Sequence, residues 1–458
     1  MTGEGHKYPM MIDAAELFER VLETYAGVGK TGKPQAHEHT TLAAVAVSFE
    51  QPVGGRDVGA VIVAMATGTK CLPAVSRRAD GAAVHDSHAE VLVRRTTVRW
   101  LMDELDALHA GRQSAVFERG REREGRARLR TGVAFHLVVS AAPCGDCKIV
   151  DGVEEGGEGE GEGEETRSKR QRTGAKVVWA SSSPPGQTDV EKHSQRVGVV
   201  RRKPGKGSPT SSCSCSDKIL RWNHLGFQGC LLRSLLEAPL YFSSVTAAVG
   251  ISEAHVGAVE VAATSEASLR RGTWDREAPD DGRERPSIRC IAIPSRILDG
   301  HGLCATGARR VGAGYGVSWW SGPSSEWRCA SRKTAATATG IVSEVPKACK
   351  DHREVLIGKL GYKASANCKA GATLPSQFVS RLSRSSMRAR FFSLRRTIAG
   401  GDGDGDGDGD GDGDGDAEDG LALSHEAYKQ RVCPCYLESW RQMRRQSSIF
   451  RNWIDKST

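Results

Sequence analysis

The 458-residue chain contains no run of about 18 apolar residues, the length a membrane-crossing helix needs. Its opening stretch, MTGEGHKYPMMIDAAELFERVLETY, lacks the basic-then-apolar pattern of a secretory leader. A paired cysteine framework is missing too: the thirteen cysteines are odd in number and scattered from Cys71 to Cys435, unlike the dense pairing of small secreted domains. These absences point to a soluble, intracellular protein, nuclear or cytoplasmic, with reduced thiols and no membrane partner. A phosphate-binding loop is also absent. GVGKT at 27–31 has the ending of one, but that pattern needs a glycine where Thr24 stands.

Two stretches lack Lys and Arg altogether. DGVEEGGEGEGEGEE at 151–165 holds eight acids, and GDGDGDGDGDGDGDGDAED at 401–419 holds ten. Next to no apolar residues are present to repay the entropy of ordering, so 151–171 and 400–420 read as disordered insertions in one domain spanning 1–458. RSKRQR at 167–172 admits two readings, a nuclear-import patch or a solvated basic linker. Without the 18 acids of the two runs, 64 basic residues face 38 acidic ones, a balance of +26. Such an excess suits a polyanionic partner, because each neutralised phosphate releases counterions.

Hydrophobic periodicity supplies the elements. AAELFERVLETY at 14–25 puts Leu17, Val21 and Leu22 on one face of a helix. TTLAAVAVSF, VGAVIVAMATG and AFHLVVSAAPCGD read as three strands, the last running into a cysteine turn. Residues 87–108 carry a helical pattern, with Asp86-Ser87 as its expected N-cap pair. The order is that of an α/β fold with His88 at a helix start and Cys144 at a strand end, two positions where such folds commonly place ligands.

His88-Ala89-Glu90 followed by Pro143-Cys144-Gly145-Asp146-Cys147 has the spacing of the zinc nucleobase deaminases. A catalytic zinc needs three protein ligands and one open position, which imidazole and thiolates provide. A glutamate two residues after the histidine can face the bound water and move its proton.

The surrounding words are ATGTKC at 66–71, HDSHAEVLVRR at 85–95, PCGD, RRKPGKGSPTSSCSCSDKILRWNHLGFQGCLL from 201, and EAPLYFSS from 237. In this order they closely resemble the domain shared by the adenosine deaminases acting on RNA and the eukaryotic tRNA-specific adenosine deaminases. RTGAK at 172–176 and KPGKG resemble the tRNA-specific branch. The resemblance implies a cytidine-deaminase-like mixed sheet flanked by helices, enlarged by a C-terminal α/β extension. It also implies zinc-dependent hydrolysis of adenosine to inosine beside the anticodon of alanine tRNA, with no obligate protein partner. A deaminase of double-stranded or messenger RNA and a catalytically silent RNA-binding module on the same fold are the competing readings.

By that likeness His88, Cys144 and Cys215 hold the zinc and Glu90 is the proton shuttle. Cys147 stands where the family usually has a small residue, and is a second possible third ligand; Cys215 is preferred because the whole SCSDKILRW block is present. Thr69, Lys70 and Lys148 are implied substrate contacts. Arg94, Arg95, Lys218, Arg221, Trp222, Trp453 and Lys456, with looser matches at Lys347 and Tyr436, are implied to surround a buried inositol hexakisphosphate. The need for a counter-ion is physical: an arginine buried unpaired is very costly. Cys213 reads as a packing thiol, and YGVSWW at 315–320 as a strand. Cys433 and Cys435 form a Cys-x-Cys with no role assigned.

Overall fold

A computed structural model describes residues 12–50, 59–121, 125–149, 176–177, 197–204, 209–251, 258–303, 311–327, 352–365, 375–400 and 423–454. The expected insertion at 151–171 lies outside these residues, as does that at 400–420 apart from Gly400, the end of a helix. Lys347 and Lys456 lie outside them too.

The centre is an eight-stranded mixed sheet. In chain order its strands are β1 (Leu42–Phe49), β2 (Ala60–Thr67), β5 (Val133–Val139), β6 (Phe242–Ile251), β7 (Ser287–Pro294), β8 (Tyr315–Trp320), β9 (His352–Ile357) and β10 (Tyr362–Lys363). The labels β3 (Thr69–Cys71) and β4 (Asp86–His88) belong to a separate two-stranded ladder. Across the sheet the order is β7-β6-β5-β1-β2-β8-β9-β10; β6 runs parallel to both its neighbours, and the remaining pairs are antiparallel.

The period of two in β1 explains the layers. Ala43, Val45, Val47 and Phe49 point into the cluster built with the long helix α2 (Ala89–His109), while Leu42, Ala44 and Ala46 join the cluster of the opening helix α1 (Ala14–Gly27). Both faces are covered, so β1 and β2 are buried along their whole length, which is why they read as continuous apolar runs. Leu17, Val21 and Leu22 of α1 are buried as the periodicity requires, and Asp13 caps the helix through the N–H groups of Ala15 and Glu16.

Further along lie α3 (Cys215–Leu225), α4 (Gly229–Arg233), α5 (Ala258–Thr273), α6 (Ser295–Gly300), α7 (Arg384–Gly400), α8 (His425–Val432) and α9 (Pro434–Gln446). The expected strand at 315–320 is β8. One expectation needs correction. Asp86-Ser87 do not cap α2; they lie in β4, and the N-cap is His88, without a side-chain capping bond. Asp86 is instead paired with Lys203 and Lys218. Among the described residues no helix is long and apolar enough to cross a membrane.

Candidate metal centre

The ladder of β3 on β4 delivers the first ligand. Gly68 makes the turn from β2 into β3 so tightly that a Cβ there would sit 2.0 Å from the Ser87 carbonyl oxygen. Thr69 is consequently registered opposite His88, Lys70 opposite Ser87 and Cys71 opposite Asp86. His88 ends β4 and opens α2, so Glu90 falls in the first helical turn.

Cys144 follows β5, and Cys215 starts α3, where Ser214 caps the helix by accepting from the Asp217 N–H. The ligand atoms of His88, Cys144 and Cys215 all lie within 4.8 Å of one another. Cys144 Sγ is 3.9 Å and Cys215 Sγ 3.6 Å from His88 Nδ1. Tetrahedral bonds of about 2.3 Å to sulfur and about 2.05 Å to nitrogen would separate these atoms by roughly 3.6 Å, so the donor set fits zinc with a fourth position open. Cys144 is held well below the usual thiol range by the hydrogen bond from Cys215, assisted by the Lys203 and His88 charges. Cys147 is not part of this cluster. It is buried in the main core with its thiol 3.9 Å from the Leu269 carbonyl, and burial pushes it well above the thiol range.

Glu90 is 3% exposed, and its Oε2 has no hydrogen-bond partner. It lies in the first turn of α2, two residues after the ligand His88. Thr69 Oγ1 is likewise buried without a partner. Lys70 is half-buried, its ammonium lowered by burial and by Lys359 against the opposing pull of Glu38. Lys148 ends the short turn Asp146–Lys148 and is half-buried.

Behind the ligands runs a set of polar residues in which Lys203, unassigned in the sequence, joins Asp86 and Lys218. Lys203 Nζ donates to both Asp86 oxygens at 3.0 Å and to Cys215 Sγ at 3.1 Å. Lys218 Nζ donates to the same carboxylate and, at 2.6 Å, to Ser212 Oγ. Burial pushes Asp86 up, but Lys203, Lys218 and His88 together outweigh it and hold the carboxyl well below its usual range. Lys218 therefore already has a protein counter-ion.

A second network ties the two cysteine turns together. Arg276 donates to Asp217 at 2.7 Å and lies 3.9 Å from Asp146, while Arg271 donates to Asp146 at 3.0 Å. The Asp146 N–H donates to Ser216 Oγ at 2.9 Å, and that hydroxyl donates to the Cys144 carbonyl at 3.1 Å. Gly145, at φ 104°, is obligatory, since a Cβ would meet the hydroxyls of Ser214 and Ser216 at 2.3 and 2.5 Å. Asp146 and Asp217 stood in the PCGD and SCSDK words; Arg276 has no local signal at all.

The arginines after Glu90 gather at another place. Arg94 Nε donates to the Phe227 carbonyl at 2.6 Å and Arg95 Nε to the Leu382 carbonyl at 2.7 Å. Arg94 lies 5.9 Å from the Trp222 ring; Arg221 covers Trp440 at 3.9 Å and Trp453 at 5.2 Å. Burial and like-charged neighbours push Arg94 and Arg95 down to about 10. Among the described residues no carboxylate forms an ion pair with Arg94, Arg95 or Arg221, and Arg221 Nε is buried without a partner. Tyr436 also acts on Arg94. The structure thus brings together Arg94, Arg95, Arg221, Trp222 and Trp453, and sets Lys218 on Asp86. Cys213 packs with Val200 and Leu220, as a packing thiol should.

Residues 64–289 match the adenosine-deaminase (editase) domain family. The tRNA-specific adenosine deaminase 1 of Drosophila melanogaster is 34% identical over 243 residues, covering 52% of this chain and 55% of that protein. That of Homo sapiens is 28% identical over 332 residues, covering 51% of this chain and 66% of that protein. The double-stranded RNA-specific adenosine deaminase of Mus musculus is 31% identical over 268 residues, covering 55% of this chain and 21% of that protein. The chain spans between about half and two thirds of the length of the tRNA-specific relatives it matches. His88, Glu90, Cys144 and Cys215 all fall within residues 64–289, the stretch that matches the adenosine-deaminase (editase) domain family.

Proposed function

We propose that this chain hydrolyses adenosine to inosine in tRNA, at the adenosine beside the anticodon of alanine tRNA. The observation that carries the reading is Glu90: a carboxylate oxygen left buried and unpaired next to a His-Cys-Cys cluster. A buried carboxylate oxygen without a partner is expensive, and a purely structural metal site has no use for it. His88, Cys144 and Cys215 would hold zinc, which when bound lowers the pKa of a water in its open position.

Glu90 takes one proton from the attacking water and delivers it to N1 of the flipped adenine, then takes the second from the new C6 hydroxyl and delivers it to the departing amine as the C6 carbonyl forms. One water is consumed and one ammonia released. Thr69, registered against His88, offers its unpartnered hydroxyl to the nucleotide, and Lys70 beside it supplies positive charge for the backbone. Lys148 is a third such contact, on the cysteine turn. The excess of basic residues outside the acidic runs supports a polyanionic substrate. The tRNA-specific relatives, more than the double-stranded RNA ones, favour tRNA, because the matched stretch covers 55% of the Drosophila tRNA-specific protein but only 21% to 27% of the double-stranded RNA-specific ones.

The arginine cluster supports a second bound group, inositol hexakisphosphate. Arg94, Arg95 and Arg221 would hold its phosphates with Trp222 and Trp453 alongside, completed by Lys347 and Lys456. Lys218 would join them only as part of its pair with Asp86.

The test is incubation of the purified protein with an alanine tRNA stem-loop and, separately, a long RNA duplex, followed by sequencing, in which inosine reads as guanosine. Conversion beside the anticodon alone is expected. Conversion of the duplex but not the tRNA would move the substrate to double-stranded RNA, and binding without turnover on either would leave a silent module.

A further inference from the structure

The Cys-x-Cys at 433–435 has a structural context that its two residues did not reveal. Cys433 is the N-cap of α9, followed by Pro434 at the first helical position. Its sulfur is 3.5 Å from Cys435 Sγ. A third thiol arrives from α4: the single Cys230 S–H has within reach the carbonyl oxygens of Cys433 at 3.8 Å and Lys429 at 3.9 Å, and the Cys433 sulfur as an alternative acceptor. Cys230 and Cys433 are buried whereas Cys435 is exposed. None of the three belongs to the metal cluster.

We propose that Cys433 and Cys435 are a redox-active dithiol, which a small disulfide such as oxidised glutathione converts reversibly to an intramolecular disulfide. Exposure makes Cys435 the sulfur an outside reagent reaches. Its thiol, which burial and the hydrogen bond to Cys433 hold above the ordinary thiol range, gives up its proton as it attacks one sulfur of the small disulfide, forming a mixed disulfide and expelling one thiolate that takes up that proton. Cys433 then attacks the Cys435 sulfur, expelling the second small thiolate and closing the protein disulfide. Two electrons pass from the protein pair to the reagent, and the protons of the two protein thiols end on the two released small thiols.

Cys433 suits the second step because it needs no access to solvent, only to a sulfur already in contact. It is also prepared as a nucleophile. Hydrogen bonding from Cys230 first, and then from the Tyr436 N–H of the helix start, from Cys435, and the charge of Arg233 bring it to about 6. A helix N-terminus with an arginine nearby is the environment in which reactive thiols occur.

Closing the bond shortens 3.5 Å to about 2.05 Å in the first turn of α9. Tyr436, the next residue, acts on Arg94, and Trp440, one turn on, lies 3.9 Å from Arg221. Oxidation therefore changes the border of the arginine cluster.

The 458-residue chain would be equilibrated in glutathione buffers from fully reduced to fully oxidised, acid-quenched, alkylated under denaturing conditions and digested with trypsin. Cleavage after Arg431 and Arg441 leaves both cysteines in one peptide, 432–441. In oxidised buffer this peptide should lose both alkyl groups and weigh two hydrogens less than the dithiol, and dithiothreitol should restore both alkylation sites. In Cys433→Ser the same peptide should instead carry one glutathione on Cys435. Serine is itself a favourable N-cap, so this variant keeps the helix start. Full alkylation of 432–441 in every buffer would overturn the proposal. So would a crosslink from Cys433 to the peptide containing Cys230, which would make the pairing a different one.

Discussion

At the scale of single residues, Glu90 and the metal ligands give the sharpest expectations. Glu90→Gln should retain stoichiometric zinc and lose inosine formation by about 10²- to 10⁴-fold, the usual worth of a positioned proton carrier. Metal analysis beside a tRNA turnover assay checks both halves; a variant at full activity would remove Glu90 from the mechanism. Cys215→Ala should lose the zinc and Cys147→Ala keep it, because only the former sulfur lies near His88 Nδ1, at 3.6 Å. The reverse would move the site to the Cys-x-x-Cys pair. Most of this site was legible because its words are local: His-x-Glu is set by one helix turn, Pro-Cys by one strand end. Lys203 was not legible. Nothing in RRKPGKG distinguishes a lysine 1% exposed between Asp86 and Cys215 from the solvated lysines around it. Asp86 was misread for a related reason. Asp-Ser before a helical pattern is the ordinary sign of a cap, but pairing with β3 extends β4 through His88 and frees the carboxylate for the lysines.

At the scale of elements, the two cysteine turns and α5 act as one piece. The Arg276 side chain, just beyond α5, is 3% exposed and joins Asp217, two residues after Cys215, to Asp146, two residues after Cys144. Removing one member of such a network typically costs about 3–5 kcal/mol because its partners stay buried and charged. Arg276→Met should therefore lower stability by that order and release zinc to a chelator faster than wild type at a temperature where both are folded. Unchanged release would confine Arg276 to stability. The central sheet makes a pH prediction. His136 of β5 hydrogen-bonds Ser48 of β1 and Ser244 of β6, each at 2.8 Å, and burial holds it down to about 4. A histidine depressed in the folded state binds fewer protons than its unfolded form between pH 4 and 6.5. Its stabilising share is therefore complete above about pH 6.5 and is lost as pH falls toward 4, about 3 kcal/mol in all. Denaturant midpoints measured over this window should fall less steeply for His136→Asn than for wild type. The strands themselves were read from apolar runs and the turn residues around them; the register that places His136 between two serines was not, since pairing partners lie 88 and 108 residues away.

At the scale of the whole molecule, the question is what keeps Arg94, Arg95 and Arg221 together. They come from α2 and α3, and aromatic residues from α9 and the C-terminal turn close over them. The positive field extends further: burial, together with Lys429, Arg384, Arg388 and Arg95, pushes His425 down to about 3. Convergence of this kind opposes folding unless negative charge is supplied, and among the described residues no carboxylate pairs with the three arginines. Asp86, whose charge acts on Arg95, is already shared by Lys203 and Lys218. The sequence showed the paired arginines but not whether one or both enter the protein, because helical periodicity alone turns successive side chains about 100° apart; both do, each through an Nε bond to a carbonyl. A bound polyanion would bring opposite charge to all three at once, and its binding only to the folded chain would add directly to stability. Protein purified under native conditions should therefore release about six phosphorus atoms per chain when denatured and desalted, as one inositol hexakisphosphate requires. Arg221→Met should reduce both the phosphorus and the melting temperature. Full activity with no phosphorus would show that the arginines are accommodated by solvent and carbonyl groups alone, and would remove the second bound group from the proposal.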